Sequence, residues 1–149
     1  MKIFQFFIAP VFVFSAMLTA CEKESVISVN ELPAAGRAFI EAHFTGVEIA
    51  AIVRETEGLG IEYSVYLLNG FEVDFTKSGE WDAVDGHGSS IPENILNLLP
   101  QSLTEYVANI FPNLQLVEVN KERYGYEIGL SNDLDLKFDS EGRFIGIDD

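Results

Sequence analysis

Few side chains in this sequence are suited to catalysis or metal binding, and they are scattered. The two histidines are His43 and His87, the second within Gly86-His87-Gly88. A glycine-flanked histidine can ligate a metal, but the sequence offers no second histidine or cysteine to partner it. His43 holds the place that Ile110 holds further along, which favours a part-buried structural role. Cys21 is the only cysteine, and Gly-x-Ser-x-Gly, phosphate-loop and dinucleotide signatures are absent. Carboxylates are plentiful: Asp82, Asp85, Asp133, Asp135, Asp139, Glu141, Asp148 and Asp149. A glycosidase needs two of them about 5 to 9 Å apart in a cleft. Most of these fall in turns or on an outward strand face, where acids are merely solvated. Asp139-Ser140-Glu141-Gly142 lacks the full ligand pattern of a calcium loop and reads as a turn. No catalytic residue, metal ligand or cofactor is assigned, and the chain reads as a non-enzyme.

The more suggestive residues lie on a hairpin, and the hairpin fixes their neighbours. Residues 63–75 and 126–138 align at a spacing of 63. Tyr63/Tyr126, Val65/Ile128, Leu67/Leu130, Phe71/Leu134, Val73/Leu136 and Phe75/Phe138 then coincide. Residues paired across a hairpin share a face. A two-residue Asn69-Gly70 turn would set Val65 and Leu67 beside Glu72 and Asp74. A three-residue loop, Leu68-Asn69-Gly70, instead pairs Leu67 with Phe71, Val65 with Val73 and Tyr63 with Phe75. This is a type I turn plus bulge, with Gly70 left-handed; Ser131-Asn132-Asp133 does the same in the second copy. In that register Tyr66 faces outward opposite Glu72, Ser64 lies beside Asp74, and Glu62 lies beside Thr76. Glu127 opposes Lys137, and Gly129 opposes Asp135. Tyr66 is a large aromatic on a polar, acidic face, the kind of residue that anchors a protein partner. Tyr66, Glu72, Asp74 and Ser64 are therefore the candidate partner-binding residues. Trp81, which matches Phe144, reads as core.

The elements that position this face also occur twice. Leu32-Pro33 and Leu99-Pro100 each open a helix of about three turns. Apolar residues recur at helical spacing, and Phe39/Tyr106, Ile40/Val107 and Phe44/Phe111 fall into register. A strand follows over residues 47–55 and 114–122. Leu114 and Leu116 have one parity and Val117 and Val119 the other, which predicts a bulge or a loop that becomes strand only midway. Then come the hairpin, a second turn (Lys77-Ser78-Gly79 or Ser140-Glu141-Gly142), and a short strand at Trp81 or Phe144. The expected fold is α+β: a tandem repeat of a helix plus a four-stranded antiparallel meander. One continuous antiparallel sheet with helices on one face is favoured, because two separate units would have very small cores. Repeat one spans residues 31–86 and repeat two spans residues 91–149, forming one domain over 31–149.

Length and charge fit this plan. The 149 residues include 24 acidic and 9 basic ones, for a formal charge of −15. So acidic a chain is repelled by nucleic acid and anionic lipid headgroups, and suits a basic partner or cations. Ahead of the acidic region, Met1-Lys2 leads an apolar run too short to span a membrane comfortably, since that needs about 20 residues. Leu18-Thr19-Ala20-Cys21 follows and resembles the lipobox of bacterial lipoproteins. That resemblance implies a signal peptide over residues 1–20, cleavage before Cys21 and lipid attachment at Cys21. Two or three acyl chains, at roughly 0.8 kcal/mol per buried CH₂, make a stable anchor. Residues 21–30, with Glu22-Lys23-Glu24, read as a flexible tether.

Taken together, the Leu-Pro helix starts, Tyr-x-Val/Ile-x-Leu-x-Asn, the following aliphatic/aromatic-x-Phe strand and Gly-x-aromatic resemble the PepSY-like, beta-lactamase-inhibitor-like envelope proteins. The resemblance covers residues 27–149. It implies a helix-on-antiparallel-sheet repeat, an envelope location and no established enzyme activity. Relatives in the wider group occur in protease propeptides and imply peptidase restraint, but no functional residue carries over. The sequence reading is thus a lipid-anchored protein of the bacterial cell envelope, facing the periplasm or the outer-membrane surface. It binds a protein or peptide through its sheet face, in a peptidase-inhibitor-like manner. An acidic, calcium-binding module is the first alternative, and a carboxylate-dependent hydrolase the second.

Overall fold

The structure is a computed structural model that describes residues 23–148. The expected signal peptide, its lipobox and Cys21 lie outside the described residues. Strands β1 (Lys23–Val26), β2 (Ile49–Glu57), β3 (Gly60–Leu67), β4 (Glu72–Thr76) and β5 (Trp81–Asp85) come first. Strands β6 (Leu116–Glu122), β7 (Gly125–Leu130), β8 (Asp135–Asp139) and β9 (Phe144–Asp148) follow. All nine form one antiparallel meander in which spatial order equals chain order. Helix α1 (Ala34–His43) precedes β2, and a short helix α2 (Glu93–Leu96) leads into α3 (Gln101–Ile110) before β6.

The two halves join where β5 pairs β6, with Val84 opposite Val119. Within each half the hairpin register is the one the pairing argument requires. Leu67 N–H donates to Phe71 O and Leu130 N–H to Leu134 O, each closing a three-residue loop. Gly70 and Asp133 take the left-handed conformation, with φ of +92° and +63°. The expected bulge is present at Val117, where the register shifts between Leu116 and Glu118, and β2 carries its counterpart at Ala50.

Two expectations need correction. Residues 21–30 were expected as a flexible tether, yet Lys23–Val26 pair with β2 from Thr56 to Val53. Beyond them, Ile27 N–H donates to Ile52 O. The unpaired edge of β2 supplies a row of backbone donors and acceptors, and the segment in front satisfies them. Among the described residues the sheet consequently has nine strands rather than eight.

Core side chains come from one face of the sheet. Val65, Val73, Phe75, Val84, Val119, Ile128, Leu136 and Phe138 are fully buried. Helices cover that face: Phe39 of α1 meets Phe75 edge-on at 5.7 Å, and Tyr106 of α3 meets Phe138 edge-on at 5.5 Å. Trp81 and Phe144 complete these clusters by stacking on Phe39 and Tyr106. His43 lies against Phe39 at 4.4 Å, in the structural role expected of it. No buried residue among those described is polar or charged. Any recognition chemistry therefore belongs to the surface.

Each helix start is fixed by the turn between the last two strands of its half. A Cβ on Gly79 would lie 2.7 Å from Pro33 Cβ, and one on Gly142 would lie 2.6 Å from Pro100 Cβ. Both glycines are also left-handed, at φ +86° and +80°. Gly142→Ala should therefore cost about 2–3 kcal/mol in unfolding free energy. A denaturant titration checks this, with Gly146→Ala, where a Cβ meets nothing within 4 Å, as the nearly neutral control.

Candidate functional site

With both long helices on one face, the other face of the sheet is left uncovered and polar. The four residues singled out from the sequence come together there. Tyr66 pairs with Glu72, and Ser64 pairs with Asp74 one step along the same two strands. All four are partly exposed. Following the first pair across the sheet extends it: Glu72 opposes Asp85, Asp85 opposes Glu118, Glu118 opposes Gly129, Gly129 opposes Asp135, and Asp135 opposes Asp148. Five carboxylates thus share one row, interrupted by a glycine.

Like charges directly opposite one another destabilise a sheet, and specific groups along the row offset this. His87 stands over the first two acids. Its Nε2 is 3.0 Å from Glu72 Oε2 and its Nδ1 is 3.2 Å from Asp85 Oδ2. Asp85 also accepts the His87 backbone N–H at 2.6 Å, which orients the turn. Asn120 donates to Glu118 at 2.8 Å, and Lys137 pairs with Asp148 at 2.7 Å. At Gly129 the relief is spatial. Glu118 Oε2 and Asp135 Oδ1 come within 3.3 and 3.4 Å of where a Cβ would stand. A side chain there would push into both.

Asp74 is only partly compensated. Its Oδ1 is buried without a hydrogen-bond donor. Burial, reinforced by the nearby Glu72, Glu55 and Asp82 charges and opposed by Ser64, raises its pKa to about 6. The Tyr66 phenol is also raised, first by burial and then by Glu72 and Asp74. Lys121 lies over the Trp81 ring at 3.8 Å and donates to Trp81 O. That contact keeps Trp81 in a structural role.

Sequence reasoning missed the Glu72–Asp85–His87 grouping, because it sought nitrogen and sulfur partners for His87. Each of the three offers a ligand atom, and these lie within 4.8 Å of one another. The available signal was Asp85, two residues before His87 and bonded to its backbone. Imidazole suits zinc or a similar transition metal rather than calcium, which prefers oxygen ligands alone. The carboxylates leaning over Gly129 are the all-oxygen alternative. Asp139, by contrast, is drawn into a turn: it accepts from Arg143 N–H and Glu141 N–H, and these bonds lower its pKa. Asp74 and Asp139 thus have opposed shifts and sit on different strands, β4 and β8.

Comparison with known proteins agrees with this layout. A family model described as "Putative beta-lactamase-inhibitor-like, PepSY-like" matches residues 61–146. The chain belongs to that family. Solved structures of two Bacteroides proteins are similar to it. One, from Bacteroides thetaiotaomicron, is described as a "putative calcium-regulated periplasmic protein"; it is 31% identical with a TM-score of 0.77, over 85% of this chain and 97% of that one. Another, from Bacteroides vulgatus and of unknown function, is 32% identical with a TM-score of 0.78, over 85% of this chain and 100% of that one. No curated protein sequence matches. Among the described residues, no helix is long and apolar enough to cross a membrane.

The Asp74 environment gives a stability signature. Its folded pKa of about 6 exceeds the ordinary value of 3.8, so between those values the folded protein holds a proton that the unfolded chain releases. Stability should fall as pH rises through that window and stay flat above it. Asp74→Asn should remove this slope and raise stability at pH 7 by about 1 kcal/mol, allowing for solvent screening of a partly exposed group. Thermal melts from pH 4 to 8 check both.

Proposed function

We propose that this chain is a lipid-anchored module of the bacterial envelope, built from two copies of one helix-plus-four-strand unit. It binds a protein or peptide through its uncovered sheet face. Asp74 carries the reading: a part-buried carboxylate whose Oδ1 has no donor, beside an outward tyrosine, in a face that the helices leave bare. A partner's ammonium or guanidinium group would satisfy that oxygen and favour the ionised form. Basic partner surfaces also suit the net charge of −15. Restraint of a peptidase, which the resemblance to the wider PepSY group implies, is the form of binding this reading favours.

Affinity capture from envelope extract with residues 22–149 tests the reading. Wild type should retain one dominant partner, and Tyr66→Ala and Asp74→Asn should each lose it by tenfold or more. A partner retained equally by both variants would falsify the assignment to this face.

A second reading is supported by the acidic row and by the description of one similar protein as calcium-regulated. Here the face holds a cation, and calcium falls to the oxygen ligands about Gly129 rather than to His87. Calcium at millimolar concentration should then raise the melting temperature by several degrees, and Asp135→Asn should abolish the rise. An unchanged melting temperature in wild type rules out calcium binding of this strength.

A further inference from the structure

The two edges of the sheet differ. At one edge β2 is covered by β1, a short strand carrying Lys23 and Glu24. The other edge is β9, which pairs only with β8 among the described residues. It exposes Phe144, Ile145 and Ile147 by 37%, 54% and 51%. Long apolar edges are usually blunted by proline, lysine or a covering element. Here β9 contains neither residue, and its protection is limited to its short length, the bulge at Ile145 between Phe144 and Gly146, and Asp148 at its end.

The first half of the chain shows what such an edge accepts. Strand β5 pairs with β4 in the register that β9 keeps with β8. Val73 opposes Val84 as Leu136 opposes Ile147, Asp74 opposes Ala83 as Lys137 opposes Gly146, and a bulge at Asp82 corresponds to that at Ile145. On its far side β5 receives β6, so that Ala83, Val84 and Asp85 meet Asn120, Val119 and Glu118. Val84 becomes fully buried by this, whereas Ile147 in the matching place is half exposed. Strand β9 thus has the pattern of an interior strand with one neighbour missing.

We propose that the β9 edge receives an extended, antiparallel segment of a partner protein. That segment places an aliphatic residue opposite Ile147 and a basic residue opposite Asp148. The aliphatic position follows from Val119. The charge is opposite to that of Glu118, because the Asp85/Glu118 opposition is relieved by His87 and Asn120, whereas in the Asp135/Asp148 opposition only Asp148 is paired, with Lys137. Main-chain hydrogen bonds supply the affinity and these two side chains the specificity. Asp148 ends the outward row that begins at Tyr66, but β9 lies six strands away from β3, so the two sites can be tested separately.

The test uses a synthetic peptide of residues 114–122 carrying Glu118→Lys, titrated into ¹⁵N-labelled protein. Saturable shifts should centre on residues 144–148, and the amides there not bonded to β8 should exchange at least tenfold more slowly. Ile147→Lys, at a half-exposed site and with an unchanged melting temperature, should abolish both effects. Tyr66→Ala should bind the peptide as wild type does, and the unaltered peptide should bind severalfold more weakly. Absence of shifts in β9 at millimolar peptide, or shifts that survive Ile147→Lys, overturns the proposal. So does a dimer of the free protein, seen by sedimentation, that Ile147→Lys converts to monomer; the edge would then serve a second copy of the chain.

Discussion

The structure depends on two phenylalanines. Phe75 and Phe138 lie fully buried in the sheet, each beneath one helix. Burial of such a side chain stabilises by about 1.5–3 kcal/mol, with further gain from edge-on aromatic contact. Position matters as much as magnitude. Gly36 brings α1 close enough for a Cβ to stand 3.3 Å from the Phe75 ring. The glycine turns then hold the helix starts by their prolines. With both long helices committed to the same face, the opposite face has to meet solvent or a partner.

That opposite face carries an electrostatic cost the fold does not require. A sheet presenting alternating lysines and acids would be more stable than one with Glu72, Asp85, Glu118, Asp135 and Asp148 in a row. The offsetting groups are local and incomplete: one histidine, one amide, one lysine and a glycine gap. Asp74, beside the row, leaves a buried oxygen without a donor. Concentrated like charge with partial compensation is a common mark of surfaces arranged for an external counter-charge.

The hairpins were legible because their constraint is short-range. Parity and loop length leave one register that keeps Val65, Val73 and Phe75 on one face, and the pairing of Tyr66 with Glu72 and Ser64 with Asp74 follows. The Val117 bulge was legible as a change of parity. Less could be read where contact spans separate segments. The β5–β6 seam sets Asp85 beside Glu118, and no local pattern fixes that register, so the acidic row stayed hidden. Strand β1 was missed because Lys23-Glu24-Ser25 has tether-like composition; the bare β2 edge, not intrinsic propensity, makes it a strand. His87 was read without its partners because Glu72 reaches it only through folded strand pairing.

Strand β1, which closes one edge, also fixes where the preceding chain departs. With strands spaced about 4.8 Å apart, β1 and β9 are roughly 40 Å apart measured along the sheet. A fusion or surface attachment ahead of Lys23 therefore leaves β9 unobstructed, whereas a fusion after Asp149 would crowd it. The molecule can be immobilised by its beginning without masking its far edge, a geometric asymmetry that governs which tagged forms are fit for binding work.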